Sequence, residues 1–230
     1  ALAGGGGAGI MGVSEVARAQ PDGHTIMLGN TSVTVLHPMT APKLPYDPGR
    51  DFAPIAIIAV AATALVVHSS VPAKTVKEFV DYAKANSGKL AYGSAGTGTM
   101  THLAGEQFKQ LTGLTELTHV PYKGATPALT DVMAGHIQLM FISVGSAVPQ
   151  WKSDKVKFIA VGAGKRMKLL PDIPTVAESG LPGYEFYEWQ AVVAPAGTPA
   201  AIIAKLNREI ARTLDIPEVK KRIAGVGAQT

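Results

Sequence analysis

The run Gly93-Ser94-Ala95-Gly96-Thr97-Gly98-Thr99 holds three glycines, one serine and two threonines in seven residues. It follows a short apolar run over 90–93 and precedes a helical pattern that starts near Met100. Small residues let a backbone come close to a ligand. At a strand-to-helix turn the N–H groups point outward and the helix dipole favours an anion. Ser94, Thr97 and Thr99 add hydroxyl donors. A plain turn with Thr99 as N-cap would account for one threonine and one glycine. The surplus points to an anion or carboxylate site built from Ser94, Ala95, Gly96, Thr97, Gly98 and Thr99. No Gly-Lys-Thr/Ser follows, so this is not a Walker A loop.

Pro121-Tyr122-Lys123-Gly124-Ala125-Thr126-Pro127 occupies the same position in the next unit: strand end, glycine, helix start. Parallel strands would put both loops on one sheet edge, where ligands bind in such folds. Tyr122 offers a ring and a hydroxyl, and Lys123 a mobile charge. Lys123 reads equally as a surface lysine beside a structural turn. Asn30-Thr31-Ser32, after an apolar run over 24–29, forms a third polar loop that would face the other two across a cleft. Recognition by amides and hydroxyls uses no group that titrates near neutrality, so affinity is expected to be flat between about pH 6 and 8.

Catalysis and cofactors find less support. The six histidines, at 24, 37, 68, 102, 119 and 136, include no pair three or four apart, and there is no cysteine. No metal site is expected. Ser94 sits in Tyr-Gly-Ser-Ala-Gly, which lacks the first glycine of a nucleophile elbow. A serine-type hydrolase using Ser94, a histidine and a distant aspartate is the alternative. His102 reads as a capping or packing residue one turn into its helix. Gly7-Ala8-Gly9-Ile10-Met11-Gly12 fits G-x-G-x-x-G, but no strand precedes it and Asp22 lies in a turn, so a tight helix-start turn is expected and no cofactor.

The net charge of +4 is spread thinly. The clusters Lys165-Arg166-Met167-Lys168 and Lys220-Lys221-Arg222 have no aromatics beside them, which argues against nucleic acid. Residues 52–73 carry no formal charge, yet they contain Pro54, His68, Ser69, Ser70 and Pro72 and read as two β-type runs, not as a membrane helix. The opening residues show no signal-peptide pattern, which says little, since a mature exported protein would look the same.

These loops need a scaffold, and the chain supplies strand–helix alternation. Strands are expected over 24–29, 52–59, 64–68, 90–93, 117–120, 137–141, 156–162 and 188–194. Helices are expected over about 75–88, 100–111, 128–134 (with Thr126 as cap), 145–151, 175–180, 198–214 and 217–224. Thr75-x-x-Glu78 and Thr175-x-x-Glu178 are capping boxes. Alternation of this kind indicates an α/β protein with mostly parallel sheets. At 230 residues one large domain or two small ones fit. The uncharged β runs are the best boundaries. Residues 1–66 with 192–230 would form a discontinuous lobe 1, and 67–191 a lobe 2. A chain that leaves one domain, builds another and returns suits a hinged two-lobed binder.

The chain also resembles a known family. The matching stretches are Ala17-Arg18-Ala19-Gln20-Pro21-Asp22-Gly23-His24-Thr25, Asp51-Phe52-Ala53-Pro54-Ile55, the 94–99 loop with His102-Leu103-Ala104, and Val120-Pro121-Tyr122-Lys123-Gly124. Leu170-Pro171-Asp172-Ile173-Pro174-Thr175-Val176-Ala177-Glu178, Gly180-Leu181-Pro182-Gly183, Trp189 and Ala194-Pro195-Ala196-Gly197-Thr198-Pro199 continue the match. Together they resemble the Bug/TctC-type substrate-binding proteins of tripartite tricarboxylate transporters. The resemblance implies a periplasmic, monomeric solute receptor of the type II-like Venus-flytrap fold. It implies a small carboxylate ligand (a dicarboxylate, an aromatic carboxylate or an amino acid) and delivery to the two membrane subunits of the transporter. A ligand sensor that signals to a membrane partner is the other non-enzyme alternative. Family ligands are held at strand ends through ordered water, at positions matching Ser94 to Thr99, Tyr122 and Lys123, with Asn30, Thr31 and Ser32 opposite. Members carry an earlier strand, glycine-rich loop and helix, so lobe 1 is expected to be incomplete and the natural gene product longer at both ends.

Overall fold

The structure, a computed structural model, describes residues 9–41, 43–151 and 153–230. Gly7 and Ala8 of the glycine motif lie outside the described residues. In chain order the elements are α1 (Ile10–Ala17), β1 (Met27–Asn30), α2 (His37–Thr40), α3 (Pro48–Asp51), β2 (Phe52–His68), α4 (Val76–Ala85) and β3 (Ala91–Ser94). Then come α5 (Met100–Thr112), β4 (Thr118–Pro121), α6 (Ala125–Ala134), β5 (Leu139–Ser143), α7 (Val144–Ala147) and β6 (Val156–Val161). The chain ends with β7 (Tyr187–Pro195), α8 (Ala200–Leu214), α9 (Pro217–Gly225) and β8 (Ala228–Gln229).

Two compact units result: Ala1–Val60 with Glu188–Thr230, and Ala61–Tyr187. The junctions fall at 60/61 and 187/188, against 66/67 and 191/192 read from the sequence. In the first unit β1 pairs antiparallel with β7, from Met27↔Val193 to Asn30↔Gln190. Its small core is Val13, Val33 and Tyr46, flanked by Ile10, Met27 and Phe52. The Tyr46 hydroxyl donates to the Val33 carbonyl at 2.8 Å. Along α8 the apolar positions Ile203, Leu206, Ile210 and Leu214 are half-buried, and Asn207 Nδ2 donates to the Ile55 carbonyl at 2.7 Å.

The second unit is a three-layer sandwich with strand order β4-β3-β5-β2-β6. Residue parity along β2 sorts the two cores. Leu65 and Val67 face α4 and α5, with Phe79, Phe108, Phe141 and Tyr184. Ala64 and Val66 face α6 and α7, with Leu129, Val132, Ile142 and Phe158. Both faces are covered, so the strand reads as an unbroken apolar run. Tyr184 is a core residue whose hydroxyl donates to the Ala104 carbonyl at 2.9 Å.

Several expectations need correcting. The two β runs over 52–59 and 64–68 are one strand of 17 residues, because Val60-Ala61-Ala62-Thr63 continues the extended backbone between the units. The sheet of the second unit is mixed. β3 runs parallel to β4 and β5, while β2 is antiparallel to β5 and β6. β2 arrives from the first unit and not through a strand–helix crossover. Asn30-Thr31-Ser32 is not a loop, since β1 passes directly into a π-helical turn over Ser32–Leu36. Thr126 does not cap α6. The helix starts at Ala125 behind Gly124, whose φ of 129° suits glycine, and Pro127 still falls within the first turn, where no N–H partner is lost.

Thr175-x-x-Glu178 closes both bonds of a capping box, Thr175 N–H to Glu178 and Glu178 N–H to Thr175 Oγ1, each at 2.9 Å. No helix follows. The segment is tied to β6 by the Val176 N–H to the Val161 carbonyl at 2.9 Å, and Gly180 at φ 102° ends the turn. At Thr75 the box does cap a helix: Glu78 N–H reaches Thr75 Oγ1 at 3.2 Å and Lys74 N–H reaches Glu78 at 2.7 Å.

Candidate functional site

β3 ends at Ser94, and the chain turns through Gly96 (φ 135°) and Gly98 (φ 77°) before α5. The turn is largely self-satisfied. Ala95 N–H donates to Thr101 Oγ1 at 2.9 Å, and Gly96 N–H to Ser94 Oγ at 3.1 Å. Gly98 N–H donates to His102 Nδ1 at 3.2 Å. The Gly96 carbonyl accepts from the Thr99 hydroxyl at 2.7 Å and the Thr99 N–H at 3.3 Å. These amides therefore do not point outward, contrary to the expectation from the sequence; they bond to Thr101, Ser94 and His102 and rigidify the loop. Ser94 and Thr99 are buried beneath it. Of the three hydroxyls, that of Thr97 is the exposed one. The Thr99 side chain, at the N-cap of α5, does not cap the helix; its hydroxyl turns back to Gly96.

The second loop repeats this pattern. No side chain caps α6 behind Gly124, nor the short α7 behind Ser143. β3, β4 and β5 run parallel, so all three helix starts open on one edge of the sheet. Lys123 is exposed there. Tyr122 is half-buried and its hydroxyl donates to Asp131 Oδ2 at 2.6 Å, so its polar atom is engaged by α6. Its ring packs beside Gly93, where an added Cβ would stand 3.4 Å from Tyr122 Cε2. Asn30, Thr31 and Ser32 belong to the first unit. Asn30 Oδ1 accepts from Val33 N–H at 3.2 Å, and Thr31 Oγ1 from Trp189 N–H at 3.0 Å.

Beneath the glycine loop lies a polar network that sequence reasoning missed. His119 Nε2 is 2.7 Å from Ser94 Oγ. The His102 and His119 rings lie 4.2 Å apart between centroids, and Tyr92 stacks on His119 at 4.8 Å. The Tyr92 hydroxyl donates to Glu106 Oε1 at 2.6 Å, and Lys109 Nζ donates to the same oxygen at 3.1 Å. The signal was strand register. Tyr92 and Ser94 share a face of β3, Tyr92 is the register partner of His119, and His102 and Glu106 share a face of α5. The serine-hydrolase geometry is met only in the Ser94–His119 distance. Ser94 is 0% exposed, and Glu106 turns to Tyr92 and Lys109. Among the described residues no group of three metal-ligating side chains occurs, and no helix is long and apolar enough to cross a membrane.

Burial, with the neighbouring His102 adding to it, pushes the His119 imidazole down to about 4 from 6.5. Burial also lowers His102. Above pH 6.5 His119 is neutral whether folded or unfolded. Below it the unfolded chain takes up a proton that the folded one refuses, so stability falls as the pH drops towards 4. The expected loss from His119 is about 2–3 kcal/mol. Urea unfolding at successive pH values checks this. His119→Gln, which keeps a partner for Ser94 and cannot titrate, should flatten the curve; an unchanged curve would refute the assignment.

Comparison with known proteins places this geometry. The profile of the "Tripartite tricarboxylate transporter family receptor" matches residues 3–230. The chain belongs to this receptor family. The receptor is 37% identical over 226 residues to the UPF0065 protein in the tcbD-tcbE intergenic region of Pseudomonas sp. (strain P51), covering 98% of this chain and 67% of that protein. It is 35% identical to a UPF0065 protein of Agrobacterium vitis, covering 97% of this chain and 64% of that one. The chain thus spans about two thirds of the length of the curated relatives it matches. Among solved structures, "R. palustris Rpa4515 with adipate" superposes with a TM-score of 0.93 at 34% identity, covering 96% of this chain and 74% of that chain. The Rhodopseudomonas palustris MatC protein with bound malate gives 0.90 at 33%, covering 97% and 76%. The periplasmic binding protein BugD gives 0.91 at 33%, covering 97% and 74%. The receptor therefore has the two-lobed α/β fold of periplasmic binding proteins.

Proposed function

We propose that this receptor captures a small carboxylate, of the dicarboxylate class, in the periplasm and delivers it to the membrane subunits of a tripartite tricarboxylate transporter. The carrying observation is the sheet edge on which the starts of α5 and α6 both open, each behind a glycine turn with positive φ. Helix dipoles favour an anion at such starts, and a rigid glycine loop keeps their geometry fixed before the anion arrives. The roles of the residues follow from their exposure. Thr97 presents a hydroxyl to the ligand. Lys123 supplies a solvated positive charge. Ser94, Ala95, Gly96, Gly98 and Thr99 hold the loop, and Tyr122 braces it through Asp131. Family membership and the adipate- and malate-bound relatives support the ligand class. The receptor acts as a monomer without a cofactor, and the ligand leaves chemically unchanged.

Calorimetric titration with adipate and with malate tests this. Thr97→Val keeps the shape and removes one donor to a charged group, worth about 1.5–3 kcal/mol. Affinity should fall at least about tenfold. Lys123→Met removes an exposed charge worth about 0–1 kcal/mol, so its loss should stay below about fivefold. If Lys123→Met is the more damaging change, a salt bridge and not the helix starts holds the anion.

A further inference from the structure

We infer that His102 is the positioning residue of the glycine loop, and that it acts only as a neutral imidazole, so that a proton on His102 releases Gly98 and weakens carboxylate capture. This rests on the carboxylate reading of the loop. The Gly98 N–H donates to His102 Nδ1, which therefore carries a lone pair, with the ring proton on Nε2. A doubly protonated ring would turn a second N–H against that of Gly98. The bond would break at the residue next to Thr97, the exposed hydroxyl of the loop.

The surroundings favour the neutral ring on balance, with burial the largest influence and Glu106 opposing it. From β4, His119 lies against it at 4.2 Å between centroids, so a charge on one ring opposes a charge on the other. From β3, Tyr92 stacks behind His119 and binds Glu106. From α5 itself, Glu106 would attract an imidazolium, but its carboxylate is engaged by Tyr92 and by the Lys109 ammonium. Lys109 opposes a positive ring. Burial acts the same way and keeps His102 below the usual histidine range. The loop is thus whole at neutral pH, where a flat affinity is expected, and comes loose in acid. The ligand's own charge pulls the other way, since an anion at the start of α5 would stabilise an imidazolium. Loss of the Gly98 tether dominates because Nδ1 faces that amide.

NMR of the isotopically labelled full chain without ligand, titrated from about pH 8 to about pH 4.5, reads the coupling directly. The His102 Nδ1 resonance should be that of an unprotonated acceptor at neutral pH. The Gly98 amide shift should move with the same midpoint as the His102 ring. In His102→Gln, whose side-chain oxygen can accept the same bond but cannot titrate, the Gly98 shift should stay flat. A Gly98 amide that ignores pH, or follows a different midpoint, overturns the proposal.

Adipate titration of wild type and His102→Gln at about pH 7 and about pH 5 forms the second arm. The ratio between the two proteins cancels the ionisation of adipate itself. Wild type should lose about two- to tenfold relative to His102→Gln on acidification, the worth of one hydrogen bond. An affinity that instead rises in acid relative to His102→Gln also overturns it. If neither adipate nor malate binds at any pH, the ligand class proposed above fails, and the NMR titration still decides the role of His102.

Discussion

Gly105→Val should destabilise the second unit by about 3 kcal/mol, and Gly105→Ala by up to about 2 kcal/mol, despite the better helix propensity of alanine. An added Cβ at Gly105 would stand 2.2 Å from Tyr92 Cε2 and 2.8 Å from both Cδ2 and Cζ. That ring has little room to retreat. It is 0% exposed, stacks on His119, and holds Glu106 through its hydroxyl. Alanine in a helix interior gains about 1 kcal/mol over glycine, while overpacking a fixed ring costs about 1–3 kcal/mol; packing wins. Valine adds two methyls and a stiff χ1 to the same collision. Urea unfolding measures both variants. A more stable Gly105→Ala protein would show that Tyr92 moves freely. The double variant Gly105→Ala with Tyr92→Leu should recover part of the loss, since the two positions touch.

Gly96→Val should abolish measurable adipate and malate binding while leaving most of the fold intact. Gly96 has φ 135°, well outside the left-handed well near 60° that asparagine tolerates. A side chain there costs about 1–3 kcal/mol of strain. The loop lies at a sheet edge, so it relieves the strain by rearranging, and the carbonyl that gathers Thr99 is lost with it. Gly98, at φ 77°, sits close to the left-handed well. Gly98→Asn should therefore bind within about tenfold of wild type, whereas Gly96→Asn should not bind. Calorimetry ranks the four proteins, with far-UV circular dichroism as the check on folding. Equal binding by Gly96→Asn and Gly98→Asn would mean that loop conformation does not set affinity.

The sequence shows the alternation of strands and helices, because each amphipathic segment carries its own period and its own stop. Gly113 and Gly135 take left-handed backbone at the ends of α5 and α6. It also marks the glycine loop as unusual. Direction is not local information, so the antiparallel insertion of β2 between β5 and β6 escaped. So did the unity of Phe52–His68, where Ala61 and Ala62 are too small to announce a strand. Thr175 and Glu178 carry a helix-start pattern that tertiary ties to β6 override. At the site, the residue types around Ser94 to Thr99 suggest open amides. Their engagement by Thr101 and His102 depends on rotamers that spacing cannot supply. The Tyr92–His119–His102–Glu106 cluster draws on three elements and becomes visible only once the register of β3 and β4 is known.

The placement of the two units along the chain sets an order of assembly. Every strand of the second unit has emerged from the ribosome by Tyr187, whereas β1 of the first unit must wait for β7, its partner from Met27↔Val193 to Asn30↔Gln190. Once the second unit has folded, the Thr63 N–H to Phe186 carbonyl bond, 3.1 Å long, holds its two ends side by side. The loop that β1 and β7 must close then shrinks from almost the whole intervening chain to residues 31–62 on one side and the few residues after Phe186 on the other. Each halving of a loop lowers its closure entropy by about 0.6 kcal/mol. The middle of the chain thus acts as the template on which the early and late segments meet, and a lesion in its core, such as one at Gly105, would delay both.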